Sequence, residues 1–392
     1  MYVNVAILKE TQPHERRVAL TPSVAPKLIK LGAKLYMQCG AGNAIQLPDG
    51  TYKDVAFVKE RRRLVSDADV VLAVQPPAID VIDAMKEGAI LVSFIYAEKH
   101  PALVQKLLEK KITCFAMERV PRISRAQSMD ALSSQSALAG YYAVQLGATH
   151  LARILPKITT AAGAIGPAKV LVMGLGVAGL EAIATAHRLG AVVEGYDVRP
   201  DTQGQALSLG ATFVDTGIDA TGKGGYAREL TPEEKTKVAD VLTKHIQQAD
   251  LVITTAAIPG KPSPKLISKA QVAGMKAGAV IVDLSAEGGG NCEDTVPGET
   301  TTVGLVTIVA PLNVPSLLGE DASELYAKNQ YNLLALMMKD NIITIDWTDE
   351  VLAGTALTHA GALKKPLSVA PVADKASKAG QHAATPPTTK AA

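Results

Sequence analysis

One segment near the middle of the chain, residues 168–200, constrains its fold more than any other. It reads AKVLVMGLGVAGLEAIATAHRLGAVVEGYDVRP, an apolar run that enters a glycine-rich turn and is followed by a helix-like pattern and a second apolar run. That order is typical of a βαβ unit in a parallel sheet, and the spacing G-x-G-x-x-G is typical of units that bind a dinucleotide. The sequence therefore predicts an α/β fold with a nucleotide site at this turn.

The three glycines of this turn have separate tasks. Gly174 permits the tight turn, Gly176 lets a pyrophosphate approach the backbone, and Gly179 lets the helix and the strand pack closely. The helix that follows, beginning with Val177 and Ala178, offers unpaired N–H groups to phosphate oxygens. A glycine-rich turn that binds nothing is the alternative interpretation, but here the helix, the second strand and an acidic residue are all in place.

That acidic residue indicates which dinucleotide is bound. Asp197 lies 23 residues after Gly174, where a carboxylate accepts hydrogen bonds from the adenosine ribose hydroxyls and repels a 2′-phosphate. Arg199 is the opposing signal, since a nearby arginine accommodates that phosphate in some sites. We interpret Arg199 as a surface residue beside the adenine, and we expect NAD rather than NADP.

Short apolar runs rich in β-branched residues alternate with helix-like segments on both sides of this unit, which predicts two parallel sheets. We expect helices from Thr21-Pro22 to Gly32, from Ser263-Pro264 onward, and over residues 316–338. The expected strands cover residues 3–8, 34–38, 70–74, 90–95, 112–116, 170–173, 192–196, 251–254, 280–283, 306–309, 342–347 and 355–358.

The predicted architecture is α/β, with two Rossmann-like lobes whose parallel sheets are flanked by helices and enclose a cleft. The first lobe is discontinuous, residues 1–135 and 325–361, and residues 136–324 form the dinucleotide-binding lobe. Residues 362–392 contain nine Ala, four Pro and five Lys but no aromatic residue, so they bury too little apolar surface to fold, and we predict a disordered tail.

Composition excludes several classes of protein. The net charge of +2 comes without a basic block, which argues against a nucleic-acid partner. Cys39, Cys114 and Cys292 are far apart and lack metal-ligand spacing, so we expect neither a metal site nor disulfides. Polar residues or prolines interrupt the two long uncharged stretches, 131–151 and 300–319, and the N-terminus shows no secretory signal. We therefore expect a soluble chain.

A second motif, PRISRAQSMDALSSQSALAGY, occupies residues 121–141. Gln127, Asp130, Ser133 and Ser134 follow helical spacing, so we expect them to share one face of a helix, just after Arg122. The pattern alone leaves two interpretations open, a solvated helix face and a face that contacts a ligand in the cleft.

These motifs together resemble the NAD(H)-binding component, domain I of the alpha subunit, of proton-translocating NAD(P) transhydrogenases. R-I-S-R-A-Q-S-M-D-x-L-S-S-Q-S is the hallmark, and the likeness extends over about residues 4–360. It includes K-E-T-x-x-x-E-R-R-V-A-L-T-P at the start, G-G-Y-A-R-E at 224–229, I-P-G-K-P at 258–262, E-G-G-G-N-C at 287–292 and N-V-P at 313–315.

The resemblance implies a Re/Si-specific transhydrogenase subunit that holds NAD(H), while NADP(H) is bound on a partner chain. Hydride would pass directly between the two nicotinamides, coupled by the complex to proton translocation. The implied partners are a second copy of this chain, as a homodimer, and membrane-embedded and NADP-binding subunits. The implied location is cytoplasmic, peripheral to the inner or cytoplasmic membrane through those subunits.

The resemblance also implies which residues contact NAD(H), without any side chain acting as acid or base. Arg122, Gln127, Asp130 and Ser133 would position the nicotinamide, and Gly225 and Tyr226 belong to a loop that closes over the nucleotide. The other implied contacts are Ile123, Ser124, Ser128, Met129, Gly174, Gly176, Val177, Ala178, Gly179, Asp197, Val198, Arg199 and Ala257.

Alanine dehydrogenases share the fold and are the main alternative. Arg17 matches the arginine that grips their substrate carboxylate, but Gln75 stands where they need a lysine and Tyr96 where they need an acid/base histidine. On the transhydrogenase interpretation Arg17 has a structural role, pairing within the first lobe. A non-enzymatic NAD-responsive module is a third hypothesis, which gives no reason for the polar motif around Gln127.

Overall fold

The computed structural model describes residues 2–221, 228–258 and 262–365. Its strands form two large sheets, which we call the first sheet and the second sheet. The first sheet has eight strands in the order β3-β2-β1-β4-β5-β6-β18-β19, of which the first six are mutually parallel. They are β1 Val3–Ile7, β2 Ala33–Gln38, β3 Val55–Val58, β4 Val70–Leu72, β5 Ile90–Ser93, β6 Thr113–Ala116, β18 Ala356–His359 and β19 Ala362–Leu363.

The second sheet has seven strands in the order β11-β10-β9-β12-β13-β15-β14, and only the edge strand β14 is antiparallel. They are β9 Lys169–Met173, β10 Val192–Tyr196, β11 Thr212–Phe213, β12 Leu251–Thr254, β13 Val280–Asp283, β14 Thr300–Val303 and β15 Val306–Val309. Two short hairpins stand apart from both sheets: β7 Ile158–Thr160 with β8 Gly163–Ile165, and β16 Met338–Lys339 with β17 Ile342–Ile343.

Helices cover both faces of the sheets, and the inner strands are continuous apolar runs because both of their faces are buried. The described helices are α1 Ala25–Lys30, α2 Arg61–Ser66, α3 Ile79–Ala84, α4 Pro101–Glu109, α5 Ala131–His150, α6 Val177–Arg188, α7 Gln203–Ser208, α8 Pro232–Gln248, α9 Lys269–Ala273, α10 Gly319–Leu334 and α11 Glu350–Thr355. In none of the described ranges is a helix both long and apolar enough to cross a membrane.

Two segments connect the sheets. Helix α5 leads from the first sheet to the second, and residues 313–318 with α10 lead back. Helix α10 packs on the first sheet, where the Tyr326 hydroxyl donates to the Ala73 carbonyl at 3.0 Å and the Gln330 amide donates to the Val92 carbonyl at 3.0 Å. The predicted α/β fold is therefore confirmed. The predicted lobe boundaries stay a prediction, and α5 runs without a break across the one placed at residue 135.

Several local predictions were wrong. The helix expected from Ser263-Pro264 begins only after Ser268, whose side chain forms a reciprocal capping box with Gln271. The long helix after Asn313 ends at Leu334, because the hairpin of β16 and β17 follows. Of the strand expected over residues 342–347, only Ile342–Ile343 is a strand, as β17 of that hairpin.

The predicted tail starts too early. Residues 362–363 pair with β18 at the edge of the first sheet, while residues 366–392 lie outside the described ranges. The short strands β3, β7, β8 and β11 and the antiparallel edge strand β14 were not predicted.

Candidate functional site

The glycine-rich turn after β9 gives each glycine the surroundings that its predicted task requires. Gly174 has a φ of +100°, and a Cβ there would lie 2.8 Å from the Thr255 hydroxyl. A Cβ at Gly179 would overlap the Gly174 carbonyl, because helix and strand are in close contact. At Gly176 a Cβ would meet none of the described residues within 4 Å, so in this part of the structure the position faces space that a pyrophosphate could enter.

Helix α6 begins at this turn with its N-terminus open. Gly176 is the N-cap, and no side chain within the described ranges caps the helix. Its first N–H groups are therefore available to an anion, and they carry the positive end of the helix dipole. The turn also lies between β10 and β12, where the strand order reverses, which is where open α/β sheets bind ligands.

The Asp197 carboxylate at the end of β10 is fully engaged. Its Oδ2 accepts the Leu175 N–H at 2.7 Å, and Arg199 donates to both oxygens, from Nε at 2.9 Å and from a terminal nitrogen at 2.7 Å. The Arg199 backbone N–H adds a fourth bond at 2.9 Å, so the roughly four lone-pair sites of the carboxylate are filled. The interpretation of Arg199 as a surface residue was wrong, since it is ion-paired with Asp197.

The opposite wall of the turn is Thr255-Ala256, and sequence reasoning missed the residue that holds it. The Asn291 side chain accepts the Ala256 N–H at 3.0 Å and donates to the carbonyls of Ala256 and Pro264 at 2.8 Å each. The buried Asp283 carboxylate in turn binds the Asn291 N–H at 2.7 Å. Asn291 therefore fixes the backbone next to Ala257; its place in E-G-G-G-N-C was the one signal that pointed to it.

The prediction that the polar motif forms one face of a helix was wrong. Gln127 lies in a 3-10 turn over Ser124–Met129, and Asp130 is the N-cap of α5. The Asp130 carboxylate accepts the Ser133 N–H at 2.9 Å and the Ser133 hydroxyl at 2.6 Å. Ser134 points elsewhere, donating to Asn329 on α10 at 2.7 Å. An N-cap needs extended backbone before the helix, which interrupts the helical spacing.

The 3-10 turn is held from α10 and α11. The Asn329 and Asn332 amides both donate to the Ser128 carbonyl at 2.9 Å, and Arg125 forms two hydrogen bonds with Asp349, at 2.9 and 2.6 Å. The Gln127 side chain stays exposed. Asn329 and Asn332 are positioning residues that sequence reasoning missed, because they lie about 200 residues from the motif.

A cavity of about 480 Å³ lies between the carboxyl ends of the two sheets. Its polar lining residues are Gln12, Arg17, Gln75, Tyr96, Lys99, His100, Gln135, Ser136, Glu287 and Asn313. Among the residues that the structure describes, the cavity lining does not include Arg122, Gln127, Asp130 or Ser133, which lie at the N-terminal end of α5 outside it. The cavity reaches the same end of α5, however, because Leu132, Gln135 and Ser136 line it.

Arg17 is neutralised inside the protein. Its guanidinium donates to Glu15 at 2.8 and 2.6 Å, to Gln135 at 2.9 Å and to Asn313 at 3.3 Å. Burial alone would raise the pKa of Glu15, but Arg17 and the neighbouring amides lower it to about 2. The predicted pairing of Arg17 is confirmed, and little donor capacity remains for a substrate carboxylate.

Two partly buried glutamates hold the loops that carry Gln75 and Tyr96. Glu10 accepts the N–H groups of Val74 and Gln75 at 2.7 and 3.4 Å, and Glu118 accepts that of Tyr96 at 2.6 Å. Burial raises the pKa of Glu10 to about 7. Tyr96 has a φ of +47°, a conformation that a tyrosine keeps only where its surroundings fix it.

The remaining predicted contacts are spread around the turn and the motif. Arg122, Val177 and Ala257 are exposed, Val198 is half-buried, and Met129 belongs to the core. Gly225 and Tyr226 lie outside the described residues. Within the described ranges, no group of three or more His, Cys, Asp or Glu side chains could hold a metal ion.

Comparison with known proteins identifies two family domains. Residues 6–139 match "Alanine dehydrogenase/PNT, N-terminal domain" and residues 143–366 match "Alanine dehydrogenase/PNT, C-terminal domain". An NAD(P) transhydrogenase subunit alpha chain of Rhodospirillum rubrum is 44% identical over 377 residues, which cover 93% of this chain and 98% of the relative.

Two further relatives cover most of the chain. The solved transhydrogenase structure from Sinorhizobium meliloti is 40% identical, with a TM-score of 0.80 over 92% of this chain and 98% of that one. The alanine dehydrogenase of Mycobacterium tuberculosis is 32% identical over 300 residues, which cover 75% of this chain and 76% of the relative.

Proposed function

The chain belongs to the alanine dehydrogenase/PNT family, and we propose that within it the chain is the NAD(H)-binding subunit of a proton-translocating NAD(P) transhydrogenase. The reaction is direct, Re/Si-specific hydride transfer between NADH on this chain and NADP⁺ on a partner subunit. The observation that carries the proposal is the pairing of an open nucleotide turn at Gly176 with a cavity in which Gln75 and Tyr96 stand at the two positions where alanine dehydrogenases need a lysine and a histidine.

Gln75 and Tyr96, two residues of the cavity wall, argue against an alanine dehydrogenase. Pyruvate amination needs a cation to polarise the keto group and an acid/base group to move its proton. Gln75 offers an amide that already donates to Glu15 at 2.8 Å, and burial raises the pKa of Tyr96 above its usual range. Both residues are poor substitutes for a lysine and a histidine.

The residues around the turn fit NAD(H). The first N–H groups of α6 would bind the pyrophosphate, and the open space at Gly176 gives it room. Asp197, Val198, Arg199 and Ala257 would bind the adenosine, once Arg199 releases part of the carboxylate. This fit accounts for NAD(H) on the present chain, and NADP(H) would be carried by the partner.

The ring end would lie at the N-terminus of α5. Gly140 on α5 touches Ala178 at the start of α6, and Ser133 precedes Gly140 by seven residues, about 10 Å along a helix. Arg122, Gln127, Asp130 and Ser133 would therefore meet the nicotinamide while the phosphates stay at α6. Because a hydride moves from ring to ring, these groups only orient the reacting carbons, about 3–3.5 Å apart, and exclude water.

The proposal includes a homodimer and membrane-embedded and NADP-binding subunits, with this chain peripheral to the cytoplasmic membrane. The subunit name of the Rhodospirillum rubrum relative supports a complex. The exposed hairpin of β7 and β8 supports contact with a second copy, since Ile158 and Ile165 are 42% and 55% exposed.

Single-turnover hydride transfer tests the function. The purified chain is mixed with the NADP-binding partner subunit of its complex, and oxidation of NADH is followed by stopped flow. Transfer that requires both chains supports the proposal. NADH-dependent amination of pyruvate by this chain alone, without transfer in the mixture, would establish the alanine dehydrogenase alternative.

Gln127→Ala tests the site within the same assay. NADH affinity by calorimetry should stay nearly unchanged, because most binding contacts lie at α6 and β10. The transfer rate should fall far more, since a displacement of about 1 Å at the reacting carbon costs on the order of a hundredfold. A normal transfer rate in this variant would contradict the proposed contact between Gln127 and the nicotinamide and would favour the interpretation of Gln127 as a solvated surface residue.

A further inference from the structure

Three stretches that carry the family resemblance have no task in nucleotide binding: E-R-R at 15–17, the start of E-G-G-G-N-C at 287 and N-V-P at 313–315. The structure brings all three to one place, between the carboxyl ends of the two sheets. Glu15 and Arg17 follow β1 of the first sheet, whereas Glu287 and Asn313 follow β13 and β15 of the second.

Asn313 is the residue that joins them. Its side-chain amide donates to the Glu15 carboxylate at 3.0 Å and to the His14 carbonyl at 3.1 Å, and its carbonyl oxygen accepts from Arg17 at 3.3 Å. Its backbone N–H donates to Glu287 at 2.7 Å. One asparagine therefore contacts both sheets' loops, almost 300 residues apart in sequence.

The backbone at Asn313 is set for this role. Its φ of +46° lies in the left-handed region, which costs a non-glycine residue energy unless its surroundings fix it. It is also the first residue of the connection that returns to the first sheet, ahead of the 3-10 turn Val314–Leu318. Ser316 in that turn continues the contact, accepting the Arg16 N–H and donating to Glu15 at 3.1 Å.

The contact is also electrostatically firm. Glu15 and Arg17 are an almost completely buried ion pair, 2.6 Å apart, and the amides of Gln75, Gln135 and Asn313 satisfy their remaining hydrogen bonds. A buried ion pair is stable only where such additional hydrogen bonds are made. Removing one partner destabilises the fold, because the other charge is left buried and unpaired. The second connection, α5, joins the same network through Gln135.

From this geometry we infer that Asn313 is a positioning residue for hydride transfer: it fixes the two sheets relative to each other and so holds the ring end of NAD(H) at α5 in line with its phosphates at α6. The inference rests on the proposed function, in which the ring end meets the 3-10 turn that α10 and α11 hold from the first sheet, while the phosphates are held at α6 on the second sheet. Asn313 touches neither half itself.

Asn313→Gly is the decisive variant, because glycine adopts the positive φ freely while every side-chain bond is lost. NADH affinity by calorimetry should change less than about twofold, because binding contacts stay in place, while single-turnover transfer should fall at least about tenfold. Amide exchange at Arg16 and Arg17 should accelerate, and small-angle scattering should show a wider cleft. The control is Asn341→Gly, another left-handed asparagine (φ +63°), which lies in the hairpin of β16 and β17.

Two outcomes overturn the inference: a transfer rate that matches the unmodified chain, or NADH affinity that falls in proportion to the rate. Should Asn313→Gly not fold, Glu287→Gln replaces it, since a neutral acceptor weakens the bond to the Asn313 N–H, and a smaller fall in rate is expected. Failure of the proposed function is a different result, because the unmodified chain would then transfer no hydride, while exchange and scattering still report on Asn313.

Discussion

Asp197 shows why a single carboxylate does not fix nucleotide choice. Arg199 forms a two-bond ion pair with it, so the negative charge that would repel a 2′-phosphate is largely neutralised. The type of residue at position 197 could be read from the sequence, but not this pairing, which depends on how the loop after β10 turns back. Nucleotide preference should therefore depend on both residues.

Arg199→Ala should sharpen the preference for NADH. With its partner gone, the carboxylate has free lone pairs for the ribose hydroxyls and an unshielded charge against NADPH. We expect the NADPH dissociation constant to rise about tenfold, corresponding to about 1.4 kcal/mol, with NADH changed far less. Calorimetry with NADH and with NADPH measures the two dissociation constants. The reciprocal variant is Asp197→Asn, which we expect to narrow the preference for NADH over NADPH. Equal shifts for both nucleotides in Arg199→Ala would contradict it.

Glu10 should make stability depend on pH in an unusual direction. Its pKa is raised to about 7 by burial, from 4.5, so between those values the folded chain holds a proton that the unfolded chain has lost. Stability from this group therefore falls as pH rises through that window. Glu10→Gln removes this loss. The decrease in the free energy of unfolding from pH 5 to pH 8 should therefore be smaller in the variant than in the unmodified chain, by up to about 3 kcal/mol.

Denaturant titrations at the two pH values measure this difference. The matched control is Glu60→Gln, an exposed carboxylate, which should leave the difference unchanged. The prediction is wrong if Glu10→Gln keeps the pH dependence of the unmodified chain, whatever its overall stability.

At the scale of elements, the inner strands of both sheets were predictable because burial on both faces requires continuous apolar runs. Short edge strands such as β3 and β11 were not, since too few of their side chains are buried to leave a pattern. The predicted helix starts were wrong where a capping side chain determines the first helical residue. Ser268 and Asp130 each begin a helix by accepting a hydrogen bond from the backbone N–H three positions further along. Periodicity does not contain that information.

The crossing of α5 and α6 depends on Gly140. A Cβ there would overlap the Ala178 carbonyl, and since that atom is backbone, the helices must separate. Gly140→Ala should destabilise the fold by about 1–3 kcal/mol and weaken NADH binding, because the N-terminus of α6 moves. Thermal unfolding and calorimetry measure the two effects.

Gly204→Ala is the matched control for that crossing. Gly204 also lies in a helix, α7, but a Cβ there meets no described residue within 4 Å. It should be neutral or raise stability by about 0.5–1 kcal/mol, because alanine is the better helix former. Equal effects of the two substitutions would mean that helix propensity, rather than the α5–α6 contact, sets the result.

At the scale of the whole molecule, the sequence motifs predicted which residues belong to a site but not which motifs meet. Asn313 and Glu15 are 298 positions apart, and only the three-dimensional course of both connections between the sheets brings them within 3.0 Å. The same holds for Asn329 and Ser128. Such contacts depend on the packing of two sheets, which no local pattern encodes.

The hairpin of β7 and β8 should be a contact of the proposed homodimer. All of its strand residues are exposed, and Ile158 and Ile165 face each other across it. The two isoleucines form an apolar surface, and neither belongs to a hydrophobic core of the described residues. An isolated hairpin is at best marginally stable in water, and a second copy of the chain would supply the missing contacts. Ile158→Lys combined with Ile165→Lys should therefore weaken the dimer at least about tenfold, as measured by analytical ultracentrifugation over a range of concentrations. Leu207→Lys, at an equally exposed leucine on α7, should leave the dimer intact. A double variant that sediments as the same dimer as the unmodified chain would place the interface elsewhere on the molecule.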